Sequence, residues 1–362
     1  MIPSLRQGLL QSTVQDKEYF LKKAEREREK GNFDKALLFY KKAKEIGSSY
    51  RIDLGTAHTL RVKGDFEGAL KAYDKISKKY KNKIILADAL LGKALSLKGL
   101  SMAEEAIKFL KKAEKIYEEQ QDELGLAYLY WAYCVVFRVS GNFKEAMEYG
   151  ERALAIFNYF EDKKGILYSS CALGGLSRVL GNLEDSLNYY KKANELAKIL
   201  KDKFGVAYSF CGLGNYYRMK GKFTRAMEFF KRAEEVYGEI GDIVSFSYTL
   251  WSMGILMTLK GHYFKAEEYF EKSLSNFEKT KDRRGIVYSL MGLIQTNFLE
   301  GKSLMGEKKK CMEILKKYKL PWEELLFKIL ISKIDGRMKN FDKELSFFGS
   351  SYRFEKFPLN LP

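Results

Sequence analysis

Three arginines, Arg138, Arg178 and Arg218, stand 40 residues apart. A guanidinium keeps its charge near neutral pH, and its planar fork matches a carboxylate or phosphate with two parallel hydrogen bonds. A second set, Tyr128, Tyr168, Tyr208, Tyr248 and Tyr288, has the same spacing. Tyrosine offers apolar area with a hydroxyl at its tip, suited to packing between elements or to bonding a peptide backbone. The arginines also have a purely structural role open to them: a cation near a helix C-terminus is favoured by the dipole and can pair with a neighbouring acid. Other chemistry is sparse. Four cysteines and two histidines leave little for a zinc site or a disulfide framework. Cys171 and Cys211 are one period apart. Packed helices would hold them at roughly 10 Å, too far for a disulfide, so they read as small apolar residues. His58 and His262 have no ligand set, and His262 reads as a solvated residue beside Gly261. Gly174-Gly175 follows no strand, so it reads as helix packing and not as a phosphate loop. There is no paired acid and base, nucleophile triad or metal motif. The expectation is a protein that is not an enzyme, with no metal and no cofactor.

The residues that must position these columns share their period. Gly141, Gly181, Gly221, Gly261 and Gly301 are 40 apart, as are Asp122, Asp162, Asp202, Asp242 and Asp282. Each Asp precedes a stretch of helical apolar periodicity and reads as its N-cap. Each Gly ends that stretch, where a left-handed residue is needed. A second helix follows, as at 222–237, with Phe223, Ala226, Met227, Phe230 and Ala233 on one face. The unit is helix, tight turn, helix.

Composition agrees with a packed, repetitive body. The chain has 362 residues, 46% of them hydrophobic and 14% aromatic, with only 4 prolines. That is too apolar for a disordered chain. The net charge is +17, and it is uneven: residues 1–83 carry 20 basic against 11 acidic side chains, and residues 302–362 carry 14 against 8. Such ends could attract nucleic acid, anionic lipid or an acidic protein, or simply keep the chain soluble. The longest uncharged run, Ile243–Leu259, contains Ser245, Ser247, Thr249, Ser252 and Gly254 and falls in phase with the repeat, so a membrane span is not expected. No secretory signal is visible. The expected location is the cytoplasm, which suits free thiols.

These features resemble the tetratricopeptide repeat. Around Gly221 the matching residues are Phe210, Leu213, Gly214, Tyr217, Gly221, Phe223, Ala226, Phe230 and Ala233, with Gly238 where the family has its closing proline. The long period is similar to that of kinesin light chains and cell-polarity adaptors. Shorter units precede it, marked by Gly31 and Gly64, then by Gly92 and Gly99. The resemblance implies an all-α, right-handed superhelical solenoid of about eight units. The expected organisation is an extension over 1–15, a solenoid over 16–319 with a degenerate last unit, and a capping helix with an aromatic-rich tail over 320–362.

The resemblance also implies which residues line the concave groove: Tyr128, Trp131, Arg138, Tyr168, Arg178, Tyr208, Asn215, Arg218, Tyr248, Trp251 and Tyr288. The implied function is a protein-interaction scaffold holding an extended or helical, acidic partner segment. The alternative is nucleic-acid binding, with basic ends on phosphates and aromatics on bases. The family's carboxylate clamp of Lys, Asn and Arg is not found, which disfavours a chaperone-tail receptor. Phe341, Phe347, Phe348, Tyr352, Phe354 and Phe357 crowd the tail. It is expected to dock, covering the end of the array more readily than entering its groove. The partner's identity and the oligomeric state are not legible.

Overall fold

A computed structural model describes the backbone of residues 3–337 and 339–362, and side chains from residue 14 onward except at 338. Among the described residues there are eighteen helices and no strand. The first sixteen pair as antiparallel hairpins. They are α1 (Pro3–Glu29) with α2 (Phe33–Ile46), α3 (Tyr50–Lys63) with α4 (Phe66–Lys79), α5 (Lys83–Gly99) with α6 (Ala103–Glu119), and α7 (Glu123–Ser140) with α8 (Phe143–Tyr159). Then come α9 (Lys163–Leu180) with α10 (Leu183–Ile199), α11 (Lys203–Met219) with α12 (Phe223–Ile240), α13 (Ile243–Leu259) with α14 (Tyr263–Thr280), and α15 (Arg283–Leu299) with α16 (Met305–Lys317). Helix α17 (Pro321–Ile334) packs on α15, and the short α18 (Asp342–Phe347) leads into an extended C-terminal segment. No described helix is long and apolar enough to cross a membrane.

The repeat columns do their local work. Asp122, Asp202 and Asp282 accept from the backbone N–H of Gly125, Gly205 and Gly285 at 2.8, 2.9 and 3.1 Å, capping the first helices of their hairpins. Gly141, Gly181, Gly221, Gly261 and Gly301 take left-handed φ between 67° and 93° and turn the chain into the second helix. Each second helix buries one face: in α12 it is Ala226, Phe230, Ala233, Tyr237 and Ile240. Alanine lets the helices approach and the aromatics fill the space beyond. A close approach of this kind is seen at Gly212, where a Cβ would fall 2.2 Å from the buried Tyr190 ring.

Each hairpin packs on the next, and the array curls until later hairpins meet earlier ones. The turn at Gly31 lies against Ile240, and Gly64 lies against Val244 and Thr280. Lys281 pairs with Glu67 at 2.7 Å, Arg283 donates to the Leu100 carbonyl at 3.0 Å, and Lys319 pairs with Glu104 at 2.8 Å. The first three hairpins thus support the end of the array.

Candidate interaction groove

The tyrosine column joins consecutive hairpins. Tyr128 donates to Asp162 at 2.7 Å, Tyr168 to Asp202 at 2.7 Å and Tyr248 to Asp282 at 3.0 Å, each acceptor being the helix-capping Asp of the next hairpin. Tyr288 donates instead to the buried Glu323 of α17 at 3.0 Å. Trp131 and Trp251 bond the carbonyls of Tyr168 and Tyr288 through their indole N–H, at 3.2 and 3.0 Å. Trp251 and Tyr288 are buried, and Tyr128, Trp131, Tyr168, Tyr208 and Tyr248 are half-buried. Burial, then the Asp202 charge, hold the Tyr168 phenol well above its ordinary range, so it remains a donor. Cys171 is buried and its thiol is pushed up by the same desolvation. His262 is exposed at the start of α14, and His58 bonds the Tyr73 hydroxyl through Nδ1 at 2.6 Å.

The arginine column runs along the interior. Arg61, Lys98, Arg138, Arg178 and Arg218 end the first helices of successive hairpins, with only Arg218 wholly buried. Their charges are near enough to act on one another. Burial, then Arg138, push the Lys98 ammonium down to about 8, with Arg61 and Arg284 acting the same way and Asp282 opposing. Burial, then Arg178, press the Arg218 guanidinium downward as well. Among the described residues, Nε of Arg61, Nε of Arg138, and Nε and Nη1 of Arg178 are buried without a hydrogen-bond partner. A desolvated cation with unused donors lacks compensation, and an anion would supply it.

The C-terminal segment reaches this column. Ser351 N–H donates to the Leu180 carbonyl at 2.9 Å, and the Ser350 hydroxyl to the Val179 carbonyl at 2.9 Å. Farther on, Gln295 and Leu359 form a two-point pair: Leu359 N–H donates to Oε1 at 2.5 Å, and Nε2 donates to the Leu359 carbonyl at 3.3 Å. Arg218 donates to the Leu361 carbonyl at 2.8 Å and to the Asn360 side chain. Its Nη2 also reaches Oδ1 of Asn215 at 3.0 Å, so Asn215 orients the fork. Leu359, Leu361 and Pro362 are buried. Phe348 meanwhile packs on Trp322 and Phe143, against the turn at Gly141. The segment thus runs from the ends of α7 and α9 to Arg218 of α11 and Gln295 of α15.

Sequence reasoning passed over two participants. Lys98 stands 40 residues before Arg138, in the same column, but the longer turn of the third hairpin obscured its register. The ion pair of Arg284 with Glu323, at 2.8 Å, joins α15 to α17 and follows no repeat spacing that would signal it.

The family model for the tetratricopeptide repeat matches residues 164–239, which span α9 to α12. Residues 164–239 carry tetratricopeptide repeats. A Rap protein complexed with competence and sporulation factor has the same fold, with a TM-score of 0.64 and 15% identity over 93% of this chain and 95% of that one. A signal transduction ATPase with a tetratricopeptide repeat sensor, from Pyrococcus horikoshii, is 19% identical over 82% of this chain and 45% of its own, with a TM-score of 0.48. A thermophilic tetratricopeptide repeat protein from Thermus thermophilus is 22% identical over 54% of this chain and 98% of its own, with a TM-score of 0.42. At these identities the likeness is one of fold. Curated protein sequences give no match.

Proposed function

We propose that this chain is a non-enzymatic interaction scaffold whose interior groove holds an extended, acidic segment of a protein partner. The observation that carries the reading is the column of Arg61, Lys98, Arg138, Arg178 and Arg218, with guanidinium N–H groups of Arg61, Arg138 and Arg178 buried and unpartnered among the described residues. Carboxylates spaced along an extended chain complement such a column. Phosphates would as well, but Tyr128, Tyr168, Tyr248 and Trp251 are engaged in joining hairpins, which leaves them less free to stack on bases. Support from likeness is of kind: the Rap protein that shares the fold is complexed with competence and sporulation factor. Within this reading the binding residues are Arg138, Arg178, Asn215 and Arg218. Tyr128, Trp131, Tyr168, Tyr208, Tyr248, Trp251 and Tyr288 form the wall that spaces them. Four free thiols suit a reducing, cytoplasmic setting.

The test is a titration of labelled peptides that alternate Leu with Glu or Leu with Gln. The Glu peptide should bind at least about tenfold tighter, with the advantage shrinking at high salt, since buried charge pairs distinguish the two. Arg178→Ala with Arg218→Ala should remove the difference. Equal affinities for both peptides in the wild-type chain would overturn the acidic preference.

A further inference from the structure

We infer that residues 350–362 are a tethered ligand of the groove, displaced by a partner segment that carries a carboxylate where the tail carries Asn360. The inference rests on the groove reading above and specifies its regulation and its ligand.

The tail is held as a ligand would be. Three of its contacts use its backbone: Leu359 N–H and C=O pair with the Gln295 amide at 2.5 and 3.3 Å, and the Leu361 carbonyl accepts from Arg218 at 2.8 Å. Backbone recognition with alternate side chains seated in the wall is how extended peptides are bound in general. Here Leu359 and Leu361 are the seated side chains, exposed by 0% and 1%, and Asn360 between them meets Arg218. The segment approaches through positions that face solvent. Ser351, Arg353, Glu355 and Lys356 are exposed, and left-handed glycines, Gly336 and Gly349, flank α18. Leaving the groove therefore disturbs the last few residues most and does not dismantle a hairpin.

The tail is also an imperfect ligand for this site. Among the described residues, the tail's hydrogen bonds to Arg218 come from neutral oxygens, those of the Asn360 amide and the Leu361 carbonyl. Arg178, whose charge presses on Arg218, keeps Nε and Nη1 buried and unpartnered among the described residues. A charge-assisted hydrogen bond is roughly twice as strong as a neutral one. An extended segment reading apolar, acid, apolar would make the same backbone contacts as Leu359-Asn360-Leu361 and add the charge the column lacks. The tail then sets a threshold that neutral segments do not pass and acidic ones do.

The experiment uses full-length chains and a labelled peptide of residues 350–362 carrying Asn360→Asp, read by fluorescence anisotropy. Wild type is compared with a chain whose tail is loosened by Leu359→Ser and Leu361→Ser, both first matched for helicity by circular dichroism. The loosened chain should bind the peptide at least about tenfold more tightly, because the competing tail is removed from its own site. Adding Arg218→Ala to the loosened chain should abolish that gain. The peptide with native Asn360 should bind the loosened chain more weakly than the Asn360→Asp peptide. Equal binding by wild-type and loosened chains would overturn the tethered-ligand inference and leave the groove reading standing. A loosened chain of intact helicity that binds neither peptide would overturn both.

Discussion

The Tyr168 hydroxyl donates to the Asp202 carboxylate at 2.7 Å, while the other oxygen of that carboxylate caps α11 through Gly205 N–H at 2.9 Å. One aspartate thus starts a helix and ties it to the preceding hairpin. Tyr128 with Asp162 and Tyr248 with Asp282 repeat the arrangement.

Tyr168→Phe removes one hydrogen bond at a half-buried junction and keeps the ring. Stability should fall by about 1–2 kcal/mol, read from urea unfolding. Because the array is held by neighbouring contacts, faster hydrogen exchange should concentrate in α9 to α11. Peptide affinity should be unchanged once folding is matched, since the hydroxyl faces a neighbouring hairpin. A large loss of peptide affinity with normal stability would reassign Tyr168 to the ligand.

Arg284→Ala leaves the carboxylate of Glu323, exposed by 0%, without its cation. Breaking a buried pair from one side typically costs about 3–5 kcal/mol. The loss should appear as detachment of α17, seen by a rise in Trp322 fluorescence quenching by acrylamide. Arg284→Met with Glu323→Leu should recover much of the stability, because the pair is then replaced by apolar packing.

Asp53 should make the first and second hairpins acid-sensitive. Burial works to raise its pKa, but hydrogen bonds from Lys44, Lys79 and Tyr80 outweigh it and bring the group down to about 2. A folded-state value below the unfolded one means that its stabilisation is present above about pH 4 and fades as pH falls toward about 2. Asp53→Asn should therefore cost roughly 2 kcal/mol at neutral pH, and the gap to wild type should close progressively below about pH 4. A gap that stays constant down to acid pH would show that packing, not ionisation, is lost.

Lys201 takes a left-handed φ of 53° in the turn between α10 and α11, where the next unit has Gly241 at 70°. Glycine meets no Cβ penalty in that region, at some cost in unfolded-state entropy. Lys201→Gly should stabilise by roughly 0.5–1 kcal/mol in thermal unfolding. Destabilisation would mean that the Lys201 side chain holds a contact worth more than the strain.

Much of the fold could be read from the chain because its cues are local and repeated. An Asp that caps and a Gly that turns need only their own few residues, and a fixed spacing makes them visible in unit after unit. The turn at Lys201 was invisible for the opposite reason: Gln121, Glu161, Lys201 and Lys281 adopt left-handed φ without being glycine. The candidate site was legible only in part. Arg138, Arg178 and Arg218 repeat with the fold and so could be found. The tail on Gln295 and Arg218 could not, because those contacts bridge 64 and 143 residues and follow no period. The tyrosines carried no mark separating a wall from a binding surface, since the Asp that engages each of Tyr128, Tyr168 and Tyr248 had already been explained as a cap.

The central claim is that the interior arginines hold an acidic protein segment. It is tested most directly by affinity purification from the chain's native cells, comparing wild type with Arg138→Ala, Arg178→Ala, Arg218→Ala at matched helicity. Mass spectrometry should find a protein retained in near-stoichiometric yield by wild type and lost from the variant, with an acidic, extended segment protected from proteolysis in the complex. The same proteins retained by both chains, or retained nucleic acid whose loss tracks salt and not the arginines, would contradict it.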